Sequence, residues 1–599
     1  MYSLKWDKGN TPAELHSLLI SLGEEYAIVE GGSEEQKQIL FTKINDENSL
    51  SISINDSEIK VEYNSIAQAA RGVGAALSGL EEKSSTSFMT LGIMLDCSRN
   101  AVMKVDHLKG WMRRLALMGY NMVMLYTEDT YELPDEPFFG YQRGAYSMEE
   151  VKKLDAYAST LGIELVGCIQ TLGHMEKTLR WPAYSEIKDT NGVMLVDSDA
   201  TYQLIGKMLD FWSEALQTRR LHIGMDETHG LGTGRFKKIH GEEKSSDIYS
   251  RHLNKVQEIC QDKGLEPMIW SDMIFNLCGG KSEGNEDVDK LLQEAKENVP
   301  EQMGLVHWDY YHEDKETYKD MILKHREIGH EPMMASGVWT WSRLWYDHEQ
   351  TVATVLPCIE ACRETNLKEL FFTMWGDGGA FCEYDSSMAG LLWAANQSYG
   401  QPDDEEKLEQ SYKALCDGDY KDCILASGMQ GKGAGYYTET KQDSPLLIQA
   451  STILFDDPLY GRYHDNKGVE EGYWDKVKSR FESIQNHLKN NNSKQLEHAK
   501  NLVDALLNSL IIKKALRDAK NNDSKDALKN IYEGLLPSTL KSYENLALTL
   551  REQWMRRNKP EGFEGVQNKL NTTIGRYEEV GRIVEDIQAG KTEVLPGLM

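Results

Sequence analysis

Eight short apolar runs, each followed by a helix-like stretch, occupy the chain from Leu91 to about Gly400. Buried parallel strands have continuous apolar sequences, and alternation of strands with helices implies a parallel sheet. Eight such units in about 310 residues fit the size of a (β/α)8 barrel. The predicted strands are Leu91–Asp96, Asn121–Tyr126, Gly162–Ile169, Leu221–Met225, Pro267–Trp270, Gly304–Trp308, Met333–Trp339 and Leu370–Trp375.

A doubly wound open sheet is the alternative for this pattern. It predicts a glycine-rich phosphate-binding loop after the first strand, whereas the segment there, MLDCSRN, contains no glycine. The sequence therefore favours the α/β fold class with a TIM barrel.

The flanking regions have different patterns. Residues 1–90 contain short alternating runs and a small-residue helix at Ile66–Leu77, which predicts a small α/β domain. Residues 401–599 lack a strand signal, and Gln495–Leu516 repeats apolar residues at helical spacing. We therefore expect a catalytic barrel at 91–400 and a mainly helical C-terminal domain at 401–599.

Composition excludes several classes of partner. The net charge of −29 argues against binding to nucleic acid or to anionic membranes. The sequence has neither an apolar run of membrane-spanning length nor an N-terminal targeting pattern, so we expect a cytoplasmic protein. The nine cysteines are scattered and form no C-x-x-C motif, which predicts reduced thiols in the core.

The active site of a (β/α)8 barrel lies at the C-terminal ends of its strands. Carboxylates, one arginine, one histidine and five of the thirteen tryptophans stand at those ends in this sequence. A single Trp is usually a core residue and a single Asp after a strand is usually a helix cap, but the whole set at one face indicates function. The set comprises Asp96, Arg99, Glu128, Asp129, His174, Asp226, Glu227, Trp270, Asp272, Trp308, Asp309, Tyr310, Tyr311, Trp339, Trp341, Trp375 and Asp377.

These residue types suit a carbohydrate ligand. Aromatic faces pack against the apolar faces of sugar rings, and carboxylates and arginine hydrogen-bond to hydroxyl groups. Hydrolysis of a glycosidic bond needs a proton donor and stabilisation of an oxocarbenium-like centre. Of the adjacent Asp226 and Glu227, we expect one to be held protonated near neutral pH.

The segment LHIGMDETHG resembles the His-x-Gly-x-Asp-Glu signature of glycoside hydrolase family 20, the β-N-acetylhexosaminidases. GIMLDCSRN resembles the first-strand segment of that family, and LYTEDTY and TLGHMEK stand where the family has an acid and a histidine. The resemblance covers most of the chain and is strongest to the bacterial intracellular branch.

This resemblance implies an exo-acting, retaining enzyme that releases terminal GlcNAc or GalNAc from an oligosaccharide or glycoconjugate without a metal or other cofactor. The acetamido oxygen of the substrate would attack the anomeric carbon and form an oxazolinium intermediate. Glu227 would be the general acid and then the base, and Asp226 would hold the acetamido N–H. His174, with Glu128 or Asp129, would position Glu227 and tune its pKa.

The remaining implied roles concern substrate binding. Arg99 and Asp377 would bind ring hydroxyls, although the family commonly has Glu where Asp377 stands. Trp270, Trp308 and Trp375 would enclose the acetamido methyl group. The strand-7 tyrosine of the family is replaced here by Trp339 and Trp341 in GVWTWSRLW, with Trp339 a further candidate for substrate binding. Tyr310, and after it Tyr311, is the candidate that would bind the acetamido oxygen.

Three other functions stay open at this point. An O-GlcNAcase-like or chitinase-like barrel would also use acetamido participation, but the chitinase D-x-x-D-x-D-x-E series is absent. A metal-dependent hydrolase would need ligands such as H-x-H on the first strand, and MLDCSR offers none. A non-catalytic sugar-binding protein could share the scaffold. The sequence does not determine the oligomeric state.

Overall fold

Eight parallel strands close into a barrel in the computed structural model, which describes residues 2–278, 296–297, 299–430, 449–461, 472–522, 524–592 and 595. The closure confirms the predicted fold class, and each predicted strand overlaps an observed one. In chain order the barrel strands are β7 (Thr90–Asp96), β8 (Met122–Glu128), β9 (Glu164–Ile169), β10 (Arg220–His222), β11 (Glu266–Trp270), β12 (Gly304–Trp308), β13 (Met333–Gly337) and β14 (Glu369–Met374).

The strands pair in chain order, and β14 pairs with β7 to close the circle, with Glu369 opposite Thr90. All residues of β7 and β8 are buried, as their apolar sequences predict for strands covered on both faces. The α-helices between β7 and residue 416 are Val105–Met118, Met148–Thr160, Glu176–Leu179, Asp199–Ala215, Arg235–His240, Ser245–Asp262, Asp272–Cys278, Lys315–Glu327, His348–Glu364, Met388–Ser398 and Glu405–Cys416.

A six-stranded sheet precedes the barrel in the sequence. Its strands are β1 (Leu4–Trp6), β2 (Ile28–Glu30), β3 (Lys37–Lys43), β4 (Ser49–Ile54), β5 (Glu58–Tyr63) and β6 (Glu82–Ser85). They lie side by side in the order β2-β1-β3-β5-β4-β6. The sequence analysis does not locate β1 and β6, which are only three and four residues long, too short for an alternation of apolar and polar residues to stand out. The helices of this part are His16–Leu22 and Ile66–Ser78, and Ser65 and Gln68 form a capping box at the start of the second.

The chain divides into two compact units. The first contains Met1–Val338, Ala353–Trp375 and Leu391–Cys416, and so includes both the six-stranded sheet and the barrel strands. The second contains Trp339–Val352, Gly376–Gly390 and Asp417–Met599. The domain boundaries near residues 90 and 400 stay predictions.

The second unit is mainly helical after Asp417, as the periodicity of that region predicts. Its helices are Tyr420–Ser427, Ala450–Phe455, Tyr473–Leu488, Glu497–Asn521, Lys525–Asn530, the π-helical Ile531–Leu535, Leu536–Arg557 and Phe563–Gln588. A buried pair joins Arg557 Nη1 to Glu383 Oε1 at 2.8 Å within this unit. Short 3-10 helices elsewhere in the chain span Ala13–Leu15, Pro182–Ile187, Tyr384–Ser387 and Lys494–Leu496.

Candidate active site

The segment that carries Asp226 leaves the barrel earlier than predicted. The expected strand Leu221–Met225 ends at His222, because Gly224 and Met225 adopt φ angles of 74° and 73° that no strand contains. A Cβ on Gly224 would lie 2.2 Å from Gln170 Oε1, so the glycine of the His-x-Gly-x-Asp-Glu signature permits this close approach. Met225 N then donates to Gln170 Oε1 over 3.2 Å.

Asp226 is buried and held on both carboxylate oxygens. Gln170 Nε2 donates to Oδ1 over 2.7 Å, and His174 Nε2 lies 3.2 Å from Oδ2. Burial alone would raise the pKa of Asp226, but the charge and hydrogen bond of His174, together with Gln170, lower it below the usual range. Asp226 is therefore an ionised hydrogen-bond acceptor with a defined orientation.

His174 also reaches Glu227, whose Oε2 lies 3.4 Å from His174 Nε2. Burial would lower the pKa of His174, but the charge of Asp226 and hydrogen bonds to both acids raise it to about 11. The hydrogen bond from His174 is the largest influence on Glu227 and lowers its pKa. The expectation that one of the two adjacent acids is held protonated is corrected here, because the imidazolium between them stabilises both carboxylates.

Asp272, the second residue after β11, is an acid with a raised pKa that lies against the Asp226–Glu227 segment. Burial is the largest cause and the charge of Asp226 adds to it, so that the pKa of Asp272 rises to about 7. Its Oδ2 accepts a hydrogen bond from Glu227 N over 3.3 Å. The sequence placed Asp272 on the rim but assigned it no role, since its bond to the main chain of Glu227 joins residues 45 positions apart.

Gln170 and Tyr126 were missed by the sequence interpretation. Gln170 Nε2 donates to the Tyr126 hydroxyl over 2.9 Å as well as to Asp226, and both Gln170 and Tyr126 are fully buried. Gln170 directly follows the last residue of β9. That position is the one signal in the sequence that could have identified it.

Arg99 lies among acids and aromatic rings. Its Nη1 is 3.4 Å from Asp96 Oδ2 and 3.5 Å from Glu128 Oε1. Its guanidinium carbon lies over the ring of Tyr126 at 4.8 Å and over that of Trp375 at 5.1 Å. These contacts hold the planar group in one orientation while its side chain stays 20% exposed.

The structure separates the two acids at the end of β8. The register between β8 and β9 shifts between Tyr126 and Glu128, and Glu128 has a φ of 46°. Such a bulge re-aims the side chains around it. Glu128 faces Arg99. Burial raises the pKa of Glu128, and the charges of Arg99 and His174 partly oppose that rise. Asp129 instead pairs with Arg143, whose Nε lies 2.7 Å from Asp129 Oδ1.

Three of the predicted aromatic residues form two adjoining layers with their neighbours. Trp375 packs edge-on against Tyr126 with ring centroids 4.7 Å apart, and Trp270 lies 6.2 Å from Trp375. Trp308 stacks on Tyr310 at 5.5 Å with an interplanar angle of 16°. Trp270 is fully buried whereas Trp308 is partly exposed, so Trp308 offers the more accessible face.

Tyr310 and Tyr311 follow Trp308 on the same segment. Burial raises the pKa of the Tyr310 hydroxyl, and hydrogen bonds with Trp375 and Thr373 oppose that shift. Tyr311 is partly exposed and its ring lies 6.5 Å from that of Trp308. The structure thus places Tyr310 between two of the predicted tryptophans.

Three predicted residues belong to the second compact unit. Trp339 and Trp341 stack with ring centroids 3.9 Å apart, and the Arg343 guanidinium lies 5.4 Å above the Trp339 ring. Asp377 accepts a main-chain hydrogen bond from Ser342 N over 2.9 Å. The substrate-binding roles of Trp339 and Asp377 stay predictions.

Positive φ angles occur at the acids Glu128 and Glu227 (46° and 44°), at His174 (51°) and at Met225 (73°), all non-glycine residues of the first unit. Such conformations cost about 1–3 kcal/mol each and persist where the surrounding structure enforces them. Their concentration at one end of the barrel indicates that the positions of these acids and His174 are functionally constrained.

The described residues contain neither a cluster of metal-ligating side chains nor a membrane-spanning helix. No group of three or more His, Cys, Asp or Glu side chains there could hold a metal ion. Within the same residues no helix is both long and apolar enough to cross a bilayer. Eight of the nine cysteines are free thiols in the structure, and seven of these eight are buried.

Comparison with known proteins supports the resemblance. Residues 88–282 match the family model "Glycosyl hydrolase family 20, catalytic domain", and residues 441–598 match "Glycoside Hydrolase 20C C-terminal domain". Together these ranges cover more than half of the chain.

Individual relatives are more distant. Hexosaminidase D of Homo sapiens is 26% identical over 266 residues, which are 43% of this chain and 52% of that protein. Beta-hexosaminidase 3 of Arabidopsis thaliana is 25% identical over 209 residues, 32% of this chain and 38% of that one. The chain thus spans about half the length of the curated relatives it matches.

Solved structures share the fold at low identity. An exo-β-N-acetylglucosaminidase of family 20 from Vibrio harveyi superposes with a TM-score of 0.54 and 15% identity, covering 71% of this chain and 74% of that one. A β-N-acetylhexosaminidase from Bacteroides fragilis gives a TM-score of 0.52 and 17% identity, covering 69% and 91%. Because both family models are those of glycoside hydrolase family 20, the chain belongs to glycoside hydrolase family 20.

Proposed function

We propose that the protein is an exo-acting, retaining β-N-acetylhexosaminidase that releases terminal non-reducing GlcNAc or GalNAc by substrate-assisted catalysis. The observation that carries the proposal is the contact of His174 with both Asp226 and Glu227. The names of the relatives agree with it: they are hexosaminidases, and the Vibrio harveyi enzyme was solved with N-acetylglucosamine.

The proposed reaction uses the substrate's own acetamido oxygen as nucleophile. This oxygen attacks the anomeric carbon while Glu227 donates a proton to the leaving glycosidic oxygen, and an oxazolinium ion forms. Glu227 then accepts a proton from the water that opens this ion, which restores the acid and gives net retention. A bound acetamido group acts at high effective concentration, so the enzyme needs no nucleophile of its own.

Asp226 is suited to hold the acetamido N–H. Its lowered pKa keeps it ionised, and the bonds from Gln170 and His174 fix its orientation. An ionised carboxylate beside the acetamido nitrogen stabilises the positive charge that develops as the oxazolinium ring closes.

Glu227 must carry a proton at the start of the reaction, although its pKa is lowered in the structure. Its side chain is 47% exposed. A sugar bound over it would remove that exposure, and desolvation raises the pKa of a carboxylate. We therefore infer that substrate binding itself converts Glu227 into the general acid.

Binding of the terminal sugar would use the residues around this acid pair. Arg99 would donate to ring hydroxyls from its fixed position between Tyr126 and Trp375. Trp375 and Trp308 would contact the acetamido methyl group, with Trp270 behind them, and Tyr310 would donate to the acetamido oxygen. Trp339 and Asp377 complete the proposed substrate-binding set.

Kinetics on four aryl β-glycosides would test the proposal, with GlcNAc, GalNAc, glucose and galactose as the sugars. Wild type is expected to hydrolyse the N-acetylated pair, and Glu227→Gln to lower kcat by about 10²–10⁴-fold, the usual range for a general acid. Asp226→Ala should slow hydrolysis of acetamido sugars far more than that of any sugar without the group. Near wild-type activity of Glu227→Gln would overturn the assignment.

Assays with a polymer substrate and with an inhibitor separate the alternative functions. Cleavage of internal bonds in a polymer, without release of terminal sugars, would favour a chitinase-like enzyme. Binding of N-acetylglucosamine thiazoline without turnover of any sugar would favour a sugar-binding protein on this scaffold.

A further inference from the structure

Three aromatic side chains form an exposed cluster on the loops that follow β8 and β9. Phe138 and Tyr141 are 39% and 44% exposed, and Trp181 is partly exposed. The ring of Trp181 lies 5.4 Å from that of Phe138 and 5.6 Å from that of Tyr141. Phe138 and Tyr141 are themselves 6.1 Å apart, so the three rings, hereafter the Phe138–Tyr141–Trp181 cluster, form one continuous surface.

The cluster is built on the same two loops that carry acids and the histidine of the candidate site. A Cβ on Gly140, the residue before Tyr141, would lie 2.3 Å from the main-chain oxygen of Asp129. This turn therefore rests directly on the residue next to Glu128. Trp181 follows the short helix Glu176–Leu179, which begins two residues after His174. Loops after barrel strands form the face where (β/α)8 enzymes bind substrate.

Buried packing and hydrogen bonds anchor the loop that carries Phe138 and Tyr141. Phe139 packs its buried ring 5.0 Å from Tyr131. Glu136 accepts hydrogen bonds from the Tyr184 hydroxyl at 3.0 Å and from Lys207 Nζ at 2.7 Å. The exposed rings therefore belong to an anchored loop, and core packing does not explain why they face solvent.

Polar groups accompany the rings in a way that suits a hydroxylated ligand. The Arg180 guanidinium lies 4.8 Å over the Trp181 ring, and Gln142 Nε2 donates to the Tyr141 hydroxyl over 3.4 Å. Sugars present one apolar face and a rim of hydroxyls, which match aromatic faces with arginine, amide and phenol groups at their edges.

We propose that the Phe138–Tyr141–Trp181 cluster binds the aglycone sugar, the ring to which the terminal N-acetylhexosamine is attached. The proposal rests on the proposed function, because it assigns the cluster to the leaving group of that reaction. Its place on the two loops that carry Glu128 and His174, instead of on an unrelated surface, is the reason for choosing this occupant. Contacts to the leaving sugar would lower KM and raise kcat/KM for oligosaccharides without touching the terminal residue.

The test compares Trp181→Ala, the double variant Phe138→Ala/Tyr141→Ala and the conservative Trp181→Phe with wild type. Met89→Ala is the matched control, since Met89 is 73% exposed and stands immediately before β7, at the opposite end of the barrel. Substrates are disaccharides with terminal β-GlcNAc linked to positions 2, 3, 4 or 6 of a second sugar. Inhibition by N-acetylglucosamine thiazoline, which fills only the site of the terminal sugar, is measured in parallel.

For the disaccharide that wild type cleaves fastest, we expect Trp181→Ala to lower kcat/KM by about tenfold, mainly through KM. Trp181→Phe should recover most of that loss, Met89→Ala should match wild type, and thiazoline inhibition should change less than twofold in all variants. Unchanged disaccharide kinetics in Trp181→Ala and in the double variant would overturn the proposal, as would a wild type that cleaves aryl glycosides but none of the disaccharides. Failure of thiazoline to inhibit wild type would instead contradict the proposed function.

Discussion

His174 bridges the two acids of the candidate site, with its Nε2 atom 3.2 Å from Asp226 Oδ2 and 3.4 Å from Glu227 Oε2. One imidazolium thereby stabilises the ionised forms of two neighbouring carboxylates. In the proposed mechanism, this arrangement keeps Asp226 ionised as an acceptor, and substrate that covers Glu227 promotes the protonation of Glu227.

Replacing His174 by Gln should change the pH profile as well as the rate. The charge of His174 lowers the pKa of Asp226, so its loss raises that pKa, and less Asp226 is ionised at acid pH. The acidic limb of kcat/KM should therefore move to higher pH, with kcat reduced by up to about 10²-fold through misplacement of the acid pair. Profiles from pH 3 to pH 9, roughly the range over which carboxylates and imidazoles titrate, would measure both effects.

The sign of the accompanying stability change is also defined. Because the pKa of Asp226 is lowered in the folded protein, its stabilising contribution is present above the unfolded pKa and is lost as pH falls through the folded pKa. In His174→Gln that contribution should be smaller, so thermal unfolding near pH 5 should occur at lower temperature than in wild type. The exposed His240→Gln is the control, and an identical pH profile for both variants would contradict the role of His174.

Gln170→Leu should remove a hydrogen bond that orients Asp226 without removing any charge. Gln170 donates to Asp226 Oδ1 and to the Tyr126 hydroxyl in a fully buried position, so the variant leaves polar atoms unsatisfied at a cost of about 1–3 kcal/mol. We expect a lower melting temperature and weaker inhibition by the thiazoline, because Asp226 loses one of its two fixed partners. Melting curves and inhibition constants equal to those of wild type would rule this out.

Arg99→Lys should not behave as a conservative change. A lysine keeps the charge but loses the planar donor group that lies over Tyr126 and Trp375. Loss of charge-assisted hydrogen bonds to sugar hydroxyls would lower kcat/KM by about tenfold to a hundredfold. Arg251→Lys, at an exposed arginine paired with Asp197 and Glu243, is the control and should leave kcat/KM unchanged. Equal kcat/KM in the two variants would contradict the binding role of Arg99.

Arg220→Met should have the opposite profile, with a loss of stability and unchanged activity. Arg220, Glu164 and Glu369 are the first residues of β10, β9 and β14, and Arg220 Nη1 lies 2.8 Å from Glu369 Oε1 at the N-terminal end of the barrel. Charge pairing at this end of the barrel concerns the fold, since (β/α)8 active sites lie at the other end. Because both acids are about one-third exposed, the expected cost is about 1–3 kcal/mol, between that of a surface pair and a buried one.

Thermal unfolding and kcat/KM on an aryl N-acetylglucosaminide would check this prediction together. A variant that melts at a lower temperature with kcat/KM within twofold of wild type is the expected result. A large fall in kcat/KM at a temperature where the variant is fully folded would contradict it.

The sequence by itself determined the barrel and the rim of the candidate site. Strands buried on both faces must be apolar throughout, so the eight runs could be located within a few residues of β7–β14. The residues that end those runs are polar or aromatic because the strand ends open to solvent and ligand. Position and residue type therefore placed Asp226, Glu227 and Arg99 on the rim, and the family resemblance singled them out from the other rim residues.

Only the tertiary structure decided which of these groups act on one another. The bulge between Tyr126 and Glu128 turns Glu128 towards Arg99 and leaves Asp129 to Arg143, a choice that the sequence left open. The lowered pKa of Glu227 depends on the distance to His174, a residue 53 positions earlier in the sequence. Electrostatic effects depend on the separation of groups in space and on their burial. Neither quantity can be determined from residue type or from spacing along the chain.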